Sequence, residues 1–158
     1  MKKTVTNALT SNKTDLALLV ARTAIGAYML THGLPKLVLL FSGGQVQFPG
    51  VFGMSPELSL GLAVFAEVFC SLLVIAGFGT RLAVVPLIST MLVAVFYVHA
   101  ADPFARKETA ALYLVFFSLL LLTGAGKYSV DYWRQYKSSK PVYAGSRRTE
   151  DYPVNICT

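Results

Sequence analysis

The chain has 158 residues, of which 54% are apolar and 14% charged, with a mean hydropathy of +0.57 and a formal net charge of +6. Soluble domains carry nearer a quarter of charged residues, so an ordinary soluble fold is excluded, and one compact bundle at this length leaves no room for a second domain. The basic residues lie beside apolar runs and accompany no recognition motif, which assigns them to membrane topology and excludes a nucleic-acid partner.

Between the basic ends stand four apolar runs of roughly 17 to 25 residues, each long enough to cross about 30 Å of hydrocarbon as a helix. The pattern predicts an all-α integral membrane protein, an antiparallel four-helix bundle over residues 16–126. It is flanked by an N-terminal segment, 1–15, and a basic tail, 127–158. The run after Asp15 is too long for a signal-peptide core and no small-residue cleavage site follows it, so it reads as a retained signal anchor. Thr14 and Asp15 are candidate N-caps for a first helix over about 16–40, kinked at Pro35.

Residues 42–56 hold glycines, prolines and no Lys or Arg, as a loop does on the side where positive charge is avoided. A second helix is predicted over about 57–78, closed by Gly77 and Gly79, and a third over about 82–101, with Pro86 in its first turns. After a turn at Asp102 and Pro103, a fourth helix is expected over about 108–123, stopped by Gly124 and Gly126. The last fifteen or so residues have the composition of a disordered end. Lys2, Lys3, Lys13, Arg81 and the tail then share one side against Arg106 and Lys107, with Lys36 near its helix end, on the other, which places both termini of a multi-pass protein in the cytoplasm. Tyr128, Tyr132 and Trp133 fit an interfacial aromatic belt. Cys70 and Cys157 form no CxxC and fall on different levels, which argues against a disulfide.

Polar groups inside the spans carry the candidate chemistry, because an ionisable side chain in hydrocarbon costs at least a few kcal/mol. At about 100° per residue, Arg22, Gly26, Met29, Gly33 and Lys36 fall within roughly 40° of one line on the first helix, with His32 beside it. Ala63, Glu67, Cys70 and Ser71 make a similar small and polar stripe on the second. Small residues let membrane helices approach closely, so the two stripes are expected to meet. Glu67 is either packing glue or a proton relay. Arg22 either snorkels to the headgroups or pairs with Asp131 beyond the fourth helix. Lys36 either anchors at the outer interface or touches a ligand. His32 and His99, the two histidines of the chain, fall at similar depth in the outer half; they could make interhelical hydrogen bonds or hold a quinone or small polar ligand. A bis-histidine haem would need both imidazoles in one cavity, and two histidines in a bundle are a weak signal for it. No metal-ligand pattern is present.

The pattern R-x9-H-G-L-P-K (Arg22, His32 to Lys36), a Glu in the second helix followed by G-x-G-T-R (Gly77 to Arg81), and G-A-G-K-Y-S-V-D (Gly124 to Asp131) resemble the DoxX family of bacterial four-helix membrane proteins. The resemblance covers about Leu16 to Asp131. It implies a location in the bacterial inner membrane, and a fold more than an activity. The family takes its name from a small subunit of a thiosulfate:quinone oxidoreductase, some members are linked to membrane-associated redox and thiol-stress systems, and many have no assigned role. By this resemblance Arg22, His32, Lys36, Glu67 and Asp131 occupy recurrent polar positions, whereas Lys127 stands where Arg is common. Two functions are expected. One is a redox-associated subunit binding a quinone or small polar ligand through His32, Lys36 and His99, with Glu67 relaying protons. The other is a non-catalytic structural or assembly subunit. The sequence has no cysteine cluster, dithiol or flavin fingerprint, so a protein partner would have to supply electrons, and the chain is not a complete oxidoreductase by itself. The oligomeric state is left open, a homo-oligomer included.

Overall fold

The structure, a computed structural model, describes the backbone of residues 2–43 and 47–138 and the side chains of residues 12–43 and 47–137. Among these residues every regular element is helical: α1 (Lys2–Phe41), α2 (Pro56–Ala76), α3 (Thr80–Val98), α4 (Phe104–Thr123) and a short α5 (Val130–Ser138). Two of them contain π-helical turns, Phe65–Cys70 in α2 and Ala94–Val98 in α3.

The first helix begins far earlier than its apolar run. Residues 2–15 contain neither Gly nor Pro, so nothing stops helix propagation backwards from the apolar segment, and α1 also runs on through Pro35. Thr14 and Asp15 are therefore interior residues and not N-caps. Asp15 instead accepts the backbone N–H of Lys127 at 3.1 Å and pairs with its ammonium at 3.2 Å, tying α1 to the segment after α4.

The second helix starts where its cap chemistry dictates. Ser55 is extended (φ −63°, ψ 153°), its hydroxyl accepts the N–H of Leu58, Pro56 fills the first turn and Glu57 complements the helix dipole. It stops at Ala76 because Gly77 is left-handed (φ +70°). The N–H groups of Phe78 and Gly77 return to the carbonyls of Leu73 and Val74 in a Schellman turn. Gly79, also left-handed, leads straight into α3, whose first N–H groups are capped from a distance. The Asp131 carboxylate accepts from Gly79 at 2.8 Å and from Thr80 at 3.2 Å, and the Asp131 N–H donates to the Gly77 carbonyl at 3.0 Å. α3 thus begins two residues before its expected start. It ends before His99, which has left helical geometry (φ −101°, ψ 20°).

α4 begins at Phe104, after an extended Pro103, so Arg106, Lys107 and Glu108 lie within its first turns and not before it. Part of the tail is also ordered: Ser129 accepts the Tyr132 N–H on its hydroxyl and the Trp133 N–H on its carbonyl, starting α5. The expected disordered end and Cys157 lie outside the described residues.

Three helical stretches are long and apolar enough to cross a membrane: Asn12–Phe41, Pro56–Ala76 and Thr80–Val98. α4 differs because its uncharged part, residues 109–123, spans only about 22 Å at 1.5 Å per residue. A few polar groups are buried inside an apolar core, and the outer surface is itself apolar. Arg22, Ser59, Glu67, Ser71 and Thr80 are buried, while Val38, Leu82, Phe96 and Leu122 are each at least 70% exposed. A buried core of Met29, Cys70, Val74, Val84, Leu87, Tyr113 and Phe117, among others, joins the four long helices, and α3 packs most extensively on α4.

Because Asp131 supplies the cap that Gly79, without a side chain, cannot, Asp131→Ala should lower stability by about 1–2 kcal/mol, and Asp131→Asn, which keeps one acceptor oxygen, by less. Thermal unfolding in detergent checks this; equal midpoints for wild type and Asp131→Ala would refute the capping role.

Candidate functional site

The polar stripes of α1 and α2 meet along a seam that runs antiparallel. Ascending α1 means descending α2. A side-chain carbon added at Gly26 would come within 3.3 Å of the Ser71 carbonyl and closer to Ile75. One added at Gly33 would sit 3.0 Å from the carbonyl carbon and Cβ of Glu67 and 2.8 Å from Val68. The absence of side chains at these two positions lets the backbones approach. At the far end of the seam, the Lys36 ammonium pairs with Glu67 Oε1.

Glu67 is 2% exposed, while the Lys36 side chain is 32% exposed and also lies over the Phe48 ring of the following loop at 5.9 Å. One carboxylate oxygen is therefore paired, and the other, Oε2, is buried with no hydrogen-bond partner. Glu67 sits inside the π turn of α2. Such a turn inserts an extra residue per turn and re-aims the side chains around it, and single π turns recur at functional positions. Ser71, one residue beyond that turn, also keeps a buried hydroxyl without a partner. Tyr113 of α4 is buried in electrostatic range of Glu67, and His32 is exposed with its ring edge-on to Tyr113 at 5.7 Å and 86°. Lys36, Glu67, Tyr113 and His32 thus form one neighbourhood.

His99 is placed elsewhere. Its Nδ1 is 2.7 Å from Asp102 Oδ2 in the α3–α4 turn, and Asp102 also lies 3.5 Å from Arg106. No contact joins the two histidine rings. His99 nevertheless lies at the same end of the molecule as Lys36, because the α1–α2 loop reaches α3 there through Phe52 on Tyr97, 5.2 Å apart.

Arg22 marks the opposite end of the seam. It is 2% exposed, so it does not snorkel. It makes no ion pair with Asp131: its Nη2 donates to the Tyr128 carbonyl, while Nε and Nη1 are buried without partners. Its guanidinium rests on Gly77, where any side chain would collide with it. The charge of Asp131 still acts on it through space, but both Asp131 oxygens are engaged by the α3 backbone. The physical reason is competition: two N–H groups at a helix start with no other acceptor hold a carboxylate more completely than one buried guanidinium nitrogen.

Sequence reasoning did not reach Tyr113, which reads as one more aromatic in an apolar run, nor the π turns, which have no signature in residue spacing. The Asp102 pairing is a three-residue step at a helix end and was open to inspection.

Two measurements follow. Gly33→Leu must push Glu67's backbone away and should cost about 1–3 kcal/mol as an overpacking substitution; an unaltered thermal midpoint would contradict the close seam. The hydrogen bond with His99 first, and then the charges of Arg106, His99 and Lys107, hold the Asp102 carboxyl below its usual range. A carboxyl depressed in the fold contributes stability that is present above its unfolded value and lost as pH falls through the folded one. An NMR titration should therefore place Asp102 below about 3.9, and His99→Ala should raise it; no change in that variant would assign the depression to the cations alone.

A family model described as DoxX matches residues 17–100, which is 84 of the 158 residues. No match was found among curated proteins or among solved structures. The matched stretch contains Arg22, the glycine seam, the Lys36–Glu67 pair and the α2–α3 turn, and together with the long apolar helices it shows that the chain is a membrane protein belonging to the DoxX family.

Proposed function

We propose that this DoxX-family protein spans the bacterial inner membrane four times, with both termini in the cytoplasm, and serves a quinone-linked redox system as a ligand-binding subunit. In this reading α4 is the fourth span, its charged first turn lying among the outer headgroups. The observation that carries the proposal is Glu67: a carboxyl buried in a π turn, with one oxygen on Lys36 and the other without a partner. A buried acceptor left bare costs about 1–3 kcal/mol, a cost that a ligand hydroxyl at that oxygen would offset.

The chemistry divides among the residues as follows. Lys36 donates to a ligand carbonyl once its pairing with Glu67 loosens. Glu67 holds or passes a proton, which quinone reduction requires. His32 and Tyr113 offer an aromatic wall, whereas His99, held by Asp102 in the α3–α4 turn, stands apart from it at the same end of the molecule. Electrons come from a protein partner, since the chain itself carries no electron-transfer motif.

A second reading, a structural or assembly subunit, is favoured by a different observation: the glycine seam closes on the backbone of Glu67, so that the ion pair fixes the register of α1 against α2. The two readings separate experimentally. Removing one partner of a buried pair is costly, whereas replacing both by apolar residues is often neutral, so Lys36→Met/Glu67→Leu should preserve the fold. If a ligand is held, purified protein should retain or bind quinone, and Glu67→Gln and His32→Ala should each lower that binding at least about tenfold, or 1.4 kcal/mol. Unchanged quinone occupancy in both variants would leave only the structural subunit.

A further inference from the structure

The last of the described helices carries a charge imbalance that the Lys36–Glu67 site does not use. α5 has nine residues, too few to cross a membrane, yet Tyr132, Trp133 and Tyr136 are all exposed on it. At about 100° per residue, Asp131 and Gln135 share one side, Tyr132, Tyr136 and Trp133 the next arc, and Lys137 and Arg134 the arc after that. The first side faces the protein: Asp131 caps α3, and with Gln135 and Arg81 it lines a cleft of about 480 Å³ beside the α2–α3 turn.

Asp131 is the one acid among the α5 residues. Its carboxylate is held by two backbone N–H groups and lies in range of buried Arg22, so its charge is answered inside the molecule. Arg81, Arg134 and Lys137 are exposed and have no carboxylate partner among the described residues. Arg81 donates to the Leu122 carbonyl at 3.4 Å, Arg134 stands over the Phe78 ring at 5.2 Å, and Lys137 over the Trp133 ring at 3.8 Å.

Their level is set by their neighbours. Arg81 precedes Leu82 and reaches Leu122, which are 78% and 75% exposed at the ends of α3 and α4. The cations begin where the apolar outer surface ends, and that boundary is where headgroups meet hydrocarbon.

We propose that α5 and Arg81 form an interfacial surface that binds the phosphates of anionic phospholipids in the leaflet at this end of the molecule. The aromatic arc beds at the edge of the hydrocarbon. The three exposed cations take net-negative headgroups in preference to zwitterionic ones.

The test uses the full chain purified in a neutral detergent, with its thermal midpoint followed as phosphatidylglycerol, phosphatidylcholine or inorganic phosphate is added at equal concentration. Phosphatidylglycerol should raise the midpoint by at least about 3 °C more than phosphatidylcholine. Arg134→Gln/Lys137→Gln, and separately Lys137→Gln alone at its exposed position, should reduce that preference, and Lys107→Gln at the opposite end should keep it. An equal response to both lipids, a preference unchanged in both α5 variants, an equal loss in Lys107→Gln, or the same shift with inorganic phosphate would each overturn the proposal.

Discussion

A carboxylate enclosed among helices whose outer surface is apolar cannot be rescued by water, and the Lys36–Glu67 pair is the constraint on which the rest of this arrangement depends. For the ammonium to reach Glu67, α1 and α2 must lie nearly in backbone contact. That requires Gly33 opposite Glu67 and Gly26 opposite Ser71. Close approach removes room for side chains between the two helices, so polar groups in the seam have few partners to choose from. The bare oxygen of Glu67 and the bare hydroxyl of Ser71 express that scarcity. In an apolar surrounding such groups are either costly ornaments of packing or places where another molecule completes the hydrogen bonds.

The two ends of the molecule solve the problem of buried polarity in different ways. At the Lys36 end, charge is answered by charge, between Lys36 and Glu67 and among His99, Asp102 and Arg106. At the Arg22 end, charge is largely answered by backbone: Arg22 on the Tyr128 carbonyl, and Asp131 on the N–H groups of Gly79 and Thr80. Backbone partners cannot titrate or rotate away. The Arg22 end is accordingly the more permanent of the two, and the Lys36 end the one whose pairing can be exchanged.

Much of this was legible in residue order. The stripe of Arg22, Gly26, Gly33 and Lys36 and its counterpart around Glu67 follow from helical periodicity alone, and their meeting follows from the small residues in them. The turn at Gly77 and Gly79 was readable because only left-handed geometry ends a helix so abruptly. What could not be read has specific causes. The start of α1 was misplaced because polarity was taken for a boundary, whereas helix propagation needs only the absence of breakers over residues 2–15. The partner of Asp131 was misjudged because charge pairing is the obvious reading of an Arg and an Asp, while the demand of a helix start for acceptors appears only once the chain is folded. The helical character of residues 130–138 was hidden in a composition that resembles a tail. The π turn around Glu67 has no local code at all, since it reflects tertiary packing.

The cap on α3 has a temporal side as well. Gly79 receives its acceptor from a residue 52 positions later in the chain. At a synthesis rate of about 5–20 residues per second, that acceptor is made roughly 3 to 10 s after the glycine. Until then the first turn of α3 carries open N–H groups, and Arg22, whose Tyr128 acceptor lies 106 positions further along the chain, waits about twice as long in the same condition. The end of the molecule that is most firmly closed in the finished fold is therefore the one left open longest while the chain is being made.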